Sequence, residues 1–176
     1  MAQNCLICGI IEGRIPSKKI YEDDTALAVL DVNGSNPGHC FVMPKIHYPI
    51  FEQVPDFEIG KLFSISNKIS GAIFDALKVH GTNLFIANGI PAGQTVAHFM
   101  INVIPRKEND GINLQWQPKQ LSEEEMSTVE LKIKEHMDKV GVPQSQSKKQ
   151  ASKKPLNEDS SEESREYFMR QLTRIP

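Results

Sequence analysis

From Ala97 to Ile104 the chain reads Ala-His-Phe-Met-Ile-Asn-Val-Ile. Phe99, Ile101 and Val103 take every second position, and His98, Met100 and Asn102 the positions between. Successive side chains of a strand point to opposite faces, so this octet forms a half-buried strand. One face is apolar and suits a core. The other carries an imidazole, a thioether and a carboxamide. Taken alone, the pattern also describes any half-buried strand that follows a loop. What precedes it, Asn88-Gly89-Ile90-Pro91-Ala92-Gly93, is rich in turn formers, and its backbone amides together with Gln94 and Thr95 could line an anion site.

Short strand patterns recur at 17–22, 25–31, 38–43 and 83–87, besides 97–104, with Asn33-Gly34 and Pro37-Gly38 as turn signals between them. Two segments have helical spacing. In the first, Asp56 can cap a run with Ile59, Leu62, Phe63, Ile69, Ile73 and Leu77 at steps of three and four, and Gly81 stops it. In the second, Ser122 and Glu125 form a capping box ahead of an apolar stripe of Met126, Val129, Ile133, Met137 and Val140. Strands fall early and late, with one long helix between. That order predicts an α+β fold with a mainly antiparallel sheet rather than a doubly wound parallel one. No internal repeat is present.

Residues 1–142 have the composition of a globular domain. Residues 143–165 have no aromatic residue, and pass from a lysine block (Lys148, Lys149, Lys153, Lys154) to an acidic one (Glu158, Asp159, Glu162, Glu163). Such a stretch buries too little to offset its ordering entropy and reads as a disordered linker. Residues 166–176 regain Tyr167, Phe168, Met169, Leu172 and Ile175, the makings of a short docking segment. A net charge of -2 gives no strong signal for nucleic acid, and no apolar run reaches the ~20 residues of a membrane span. The N-terminal stretch lacks the pattern of a secretory signal, so a cytoplasmic protein with reduced cysteines is expected. Under those conditions Cys5 and Cys8, spaced C-x-x-C, suggest metal binding or redox work, or else a pair of buried free thiols.

Five stretches together resemble the histidine-triad (HIT) family. They are Cys5-x-x-Cys8 with Gly13-x-Ile15-Pro16-Ser17; Tyr21-Glu22-Asp23-Asp24; Asp31 through Pro37-Gly38-His39; Met43-Pro44-Lys45-x-His47; and Asn88-Gly89 through Gly93-Gln94-Thr95-Val96 to Ile104-Pro105-Arg106. They run in order over about residues 5–118. The resemblance implies a HIT-like fold, a twisted antiparallel sheet with two main helices, usually as a homodimer. It implies a purine nucleotide such as AMP as partner, and the cleavage of phosphoramidates, dinucleoside polyphosphates or adenylates, or nucleotidyl transfer. By the same resemblance, Cys5, Cys8, His47 and His98 match the Zn2+ ligands of the family's zinc-bearing branch. Asp31 matches the acid that receives the ribose hydroxyls. Asn88, Gly93, Gln94, Thr95 and Asn102 stand at or beside phosphate-contacting positions.

The departures are equally informative. Of three alternating histidines in the family strand only the first, His98, is present. The second, which attacks the α-phosphorus, aligns with Met100, and the third with Asn102. A thioether is a poor nucleophile towards phosphorus and has no proton to exchange. The resemblance therefore implies a nucleotide-binding protein that is catalytically impaired, a pseudoenzyme without catalytic residues. The residues leave two alternatives open. One is an active hydrolase or nucleotidyltransferase that uses another group, such as water activated by His39. The other is an interaction module that acts through its charged tail.

Overall fold

A computed structural model of the chain describes residues 5–137. The linker and docking segment expected at 143–165 and 166–176 lie outside the described residues, as does Val140. The described residues divide into two units, 5–116 and 117–137.

The first unit is built on a five-stranded antiparallel sheet. Its strands are β1 (Lys19–Glu22), β2 (Ala26–Leu30), β3 (Cys40–Pro44), β4 (Gly81–Phe85) and β5 (Ile101–Arg106). Their order across the sheet is β1-β2-β3-β5-β4, so β5 is inserted between β3 and β4. Register places Val29 opposite Phe41 and Phe41 opposite Asn102, while Ala28, Val42 and Ile101 form the next row. Because side chains alternate, these rows belong to opposite faces. On one face Ala26, Ala28, Cys40, Val42, Ile101 and Val103 join Leu62, Ile65, Ile69 and Ile73 of helix α2 (Asp56–Leu77) in the main core. On the other, Leu27, Val29 and Met43 pack with Ile7 of helix α1 (Leu6–Ile11), with Phe41, Val96 and Met100 at the margin. The sheet thus has a core face under α2 and a site face under α1.

Several boundaries differ from those read in the sequence, each for an identifiable reason. The strand expected from residue 97 begins at Ile101, because the Phe99 amide leaves the ladder and donates to the Tyr48 carbonyl while the His98 amide donates to Val96. Helix α2 has Pro55 as its N-cap, and no side chain caps it; Asp56 is instead an acid in the first turn, which complements the helix dipole. It ends at Lys78, a left-handed residue (φ 49°) whose amide closes on Phe74, so Gly81 opens β4 rather than stopping the helix. His80 accordingly lies beyond that helix, where its Nδ1 accepts from the Glu108 amide. Helix α1 has no counterpart in the sequence pattern. Six residues are too few to show a helical period.

The second unit contains helix α3 (Glu123–Lys134), whose capping box between Ser122 and Glu125 is present with both reciprocal bonds. Its apolar stripe, Met126, Val129, Ile133 and Met137, is exposed. Among the described residues no helix is long and apolar enough to cross a membrane.

Candidate metal centre and ligand cavity

Three separate segments converge at one end of the site face. Cys5 and Cys8 come from α1 and the residue before it, His47 from the turn after β3, and His98 from the bend before β5. Their ligand atoms all lie within 4.8 Å of one another. Sγ of Cys8 is 3.4 Å from Nδ1 of His47 and 3.8 Å from Nδ1 of His98; Sγ of Cys5 is 3.7 Å from the same His98 nitrogen; the two Nδ1 atoms are 3.3 Å apart. A tetrahedral ion with bonds of about 2.3 Å to sulfur and about 2.05 Å to nitrogen requires edges of about 3.3 Å (N–N) and about 3.6 Å (S–N). Four of the six spacings match such a tetrahedron's edges to within a few tenths of an ångström, and the donor set of two thiols and two imidazoles suits a four-coordinate metal ion.

His98 is also held from behind. Its Nε2 donates to the Pro44 carbonyl at 3.0 Å, which fixes the tautomer and leaves the Nδ1 lone pair aimed at the cluster. Burial disfavours the imidazolium and lowers the His98 pKa; the Pro44 bond opposes that shift and His47 adds to it. A neutral ring is the form that binds a metal.

Beside the cluster, a cavity of about 520 Å³ opens on the site face. His98, Met100 and Asn102 all contribute to its wall, so the shared face read in the sequence holds even though the first two precede the strand. Asp31 lines it from the end of β2, with Oδ1 accepting the Asn33 amide at 2.9 Å. Cys40 points away into the main core, as alternation requires, and burial pushes its thiol pKa up to about 12.

The residues expected to meet phosphate are placed less uniformly. Thr95, Gly93 and Gln94 line the cavity; Asn88 does not. Asn88 faces the 51–53 turn, where Oδ1 accepts the Phe51 amide and Nδ2 donates to Glu52. Gln94 is a clasp for its own loop: Oε1 accepts the Gly89 amide, and Nε2 donates to the carbonyls of Pro49 and Val96. Asn102 bridges two strands, accepting from His39 Nε2 at 3.2 Å and donating to the Phe85 carbonyl at 3.1 Å. The other His39 nitrogen accepts the Ser35 amide, with Asp31 Oδ2 3.6 Å away. His39 is buried with both nitrogens engaged, and the sequence had no means of signalling that partnership with Asn102.

Residues 12–109 match the HIT domain. This chain belongs to the HIT family. Among its relatives is an adenylylsulfatase of Arabidopsis thaliana, 41% identical over 110 residues, which cover 62% of this chain but only 56% of that protein. The chain thus spans little more than half of that relative's length. A Zn-bound histidine triad family protein of Mycobacterium smegmatis superposes with a TM-score of 0.62 at 30% identity, covering 68% of this chain and 86% of the other. A histidine triad nucleotide-binding protein of Candida albicans gives 0.70 at 26% identity, covering 78% and 99%. The five-stranded antiparallel sheet with its helices is the HIT-like α+β fold.

Proposed function

We propose that this chain is a zinc-stabilised, cytoplasmic, homodimeric nucleotide-binding protein that binds a purine nucleotide such as AMP without covalent nucleotidyl transfer. The observation that carries the reading is Met100, a thioether in the wall of the cavity at the position where the family has its attacking histidine. A covalent route needs a basic nitrogen that takes phosphorus and then releases it. Loss of such a nucleophile costs a rate factor of about 10^4 to 10^6 in other covalent enzymes. His39 is poorly placed to compensate, since Nε2–H is given to Asn102 and Nδ1 accepts from Ser35.

Binding is supported by the half-buried Asp31 carboxylate, which retains acceptor capacity for a ribose diol. The nucleotide-binding relative from Candida albicans supports the ligand class, and the Zn-bound one from Mycobacterium smegmatis the metal. Zinc would be held by Cys5, Cys8, His47 and His98 and would supply rigidity rather than Lewis-acid chemistry, because four protein ligands leave it no open position. Leu84 and Phe85, exposed on the edge strand β4, offer apolar surface for a second copy.

The test is a binding and turnover assay of zinc-replete protein with AMP and adenosine phosphoramidate. AMP binding that Asp31→Ala weakens by roughly 1–3 kcal/mol, with negligible turnover, is the expected result. Rapid turnover by the unmodified protein would overturn the non-covalent reading, and absence of binding would overturn the nucleotide reading.

A further inference from the structure

Anion recognition at a loop depends on amides and side chains that are still available to donate. In the 88–95 loop most are already spent. The amides of Ala92 and Gln94 donate to the Gly89 carbonyl, that of Gly93 to Ile90, and that of Gly89 to the Gln94 side chain. The carboxamides of Asn88, Gln94 and Asn102 each both donate and accept within the protein. Among the described residues no lysine or arginine lines the cavity, and the carboxylate in its wall is Asp31. Met100 adds a soft apolar surface continuous with Val96 and Phe41.

We propose that this cavity selects a nucleoside whose 5′ substituent is uncharged, such as a hydroxyl, alkyl or thioether group, over a nucleoside phosphate, and that Met100 sets the preference. The proposal rests on the nucleotide reading above: it keeps the ribose contact at Asp31 and ranks AMP behind the corresponding neutral nucleoside. Three effects act together. A phosphate dianion gives up strong hydration on entry, and against that loss the described wall offers neutral donors such as Thr95 but no lysine or arginine. Its charge would also share the cavity with the Asp31 carboxylate. A neutral 5′ group loses little hydration and meets the Met100 thioether and the Val96 and Phe41 side chains in dispersion contact. The ribose hydroxyls remain free to donate to Asp31 in either case, so discrimination is located at the 5′ end.

The experiment is calorimetric titration of the full-length, zinc-replete protein with adenosine, 5′-methylthioadenosine and AMP. Both neutral ligands are expected to bind at least about tenfold more tightly than AMP, equivalent to about 1.4 kcal/mol. Met100→His, which restores a chargeable donor, should reduce or reverse that ratio. Met100→Leu keeps volume and apolarity and should preserve it. Metal content and melting temperature verify that each variant is folded. Should Met100→His fail to fold, the wild-type ranking and Met100→Leu still decide the matter. AMP binding as tightly as adenosine, or an unchanged ratio in folded Met100→His, overturns the selectivity while leaving nucleotide binding intact. No binding of any of the three overturns both.

Discussion

Helix α1 is the element whose stability would depend most directly on a metal held by Cys5, Cys8, His47 and His98. It has six residues, far below the ~12–15 at which an isolated helix becomes even marginal in water. Fixing six backbones costs about 6–12 kcal/mol. Against this stand the nearly complete burial of Ile7 (3% exposed) and the partial burial of Ile10 and Ile11, together about 5–6 kcal/mol, and a few helical hydrogen bonds worth about 1 kcal/mol each. The two sides balance to within a few kcal/mol, so on the zinc reading ligation of Cys5 and Cys8 is what decides whether α1 is docked. Removing the metal with a strong chelator, or by Cys8→Ser, should abolish amide protection over residues 6–11. Protection in α2 and β5 should persist, since their shared core lies on the opposite face of the sheet. Hydrogen exchange with and without chelator reads this directly, alongside a lowered melting temperature. Unchanged protection of α1 in protein shown to contain no metal would refute the reasoning, because apolar burial would then suffice.

Three further outcomes follow from the geometry. Met100→His with Asn102→His should acquire measurable phosphoramidase activity in a turnover assay, and Met100→His alone should acquire less, as both positions line the cavity. Cys40, with its thiol pushed up to about 12 by burial, should resist iodoacetamide at pH 8 in the folded protein, whereas Cys5 and Cys8 should become labelled on chelation. The Asp110 carboxyl is held well below its usual range, chiefly by the Arg106 guanidinium and by the Ile112 amide. A depressed folded-state pKa contributes stability above the ordinary value of about 4, and that contribution fades as the pH falls below it. Asp110→Asn should therefore lower the melting temperature at pH 7 and have progressively less effect below pH 4.

Alternation between Phe99 and Val103 is enough to assign two faces to the sheet, and the four residues that the resemblance offers as metal ligands, spread over more than ninety residues, come within 4.8 Å of one another. Local pattern was less informative about ends. Lys78 stops α2 through a left-handed backbone that no helix-breaking residue announces, and β5 starts late because the Phe99 amide is taken by Tyr48, a contact 51 positions away. The donors of the 88–95 loop were the least legible part. Asn88, Gln94 and Asn102 have the right residue types for holding phosphate, but whether a carboxamide is free depends on partners such as Glu52, Pro49 and Phe85, which only the assembled fold supplies. Composition identifies a hydrogen-bonding group; it does not reveal whether that group is already engaged.

The position of β5 between β3 and β4 also governs the order in which this molecule can assemble. β2 and β3 pair across residues 31–39 and β4 and β5 across residues 86–100, but the seam between β3 and β5 joins partners such as His39 and Asn102, 63 residues apart. Closing so long a loop is an entropic cost met before any contact across it is gained, which makes this seam the natural bottleneck of folding. The candidate metal ligands His47 and His98 sit together at one end of that same seam, and the cavity has lining residues on both of its strands. Neither site exists in a half-assembled chain. An ion or small molecule that binds there therefore recognises only chains that have completed their slowest step.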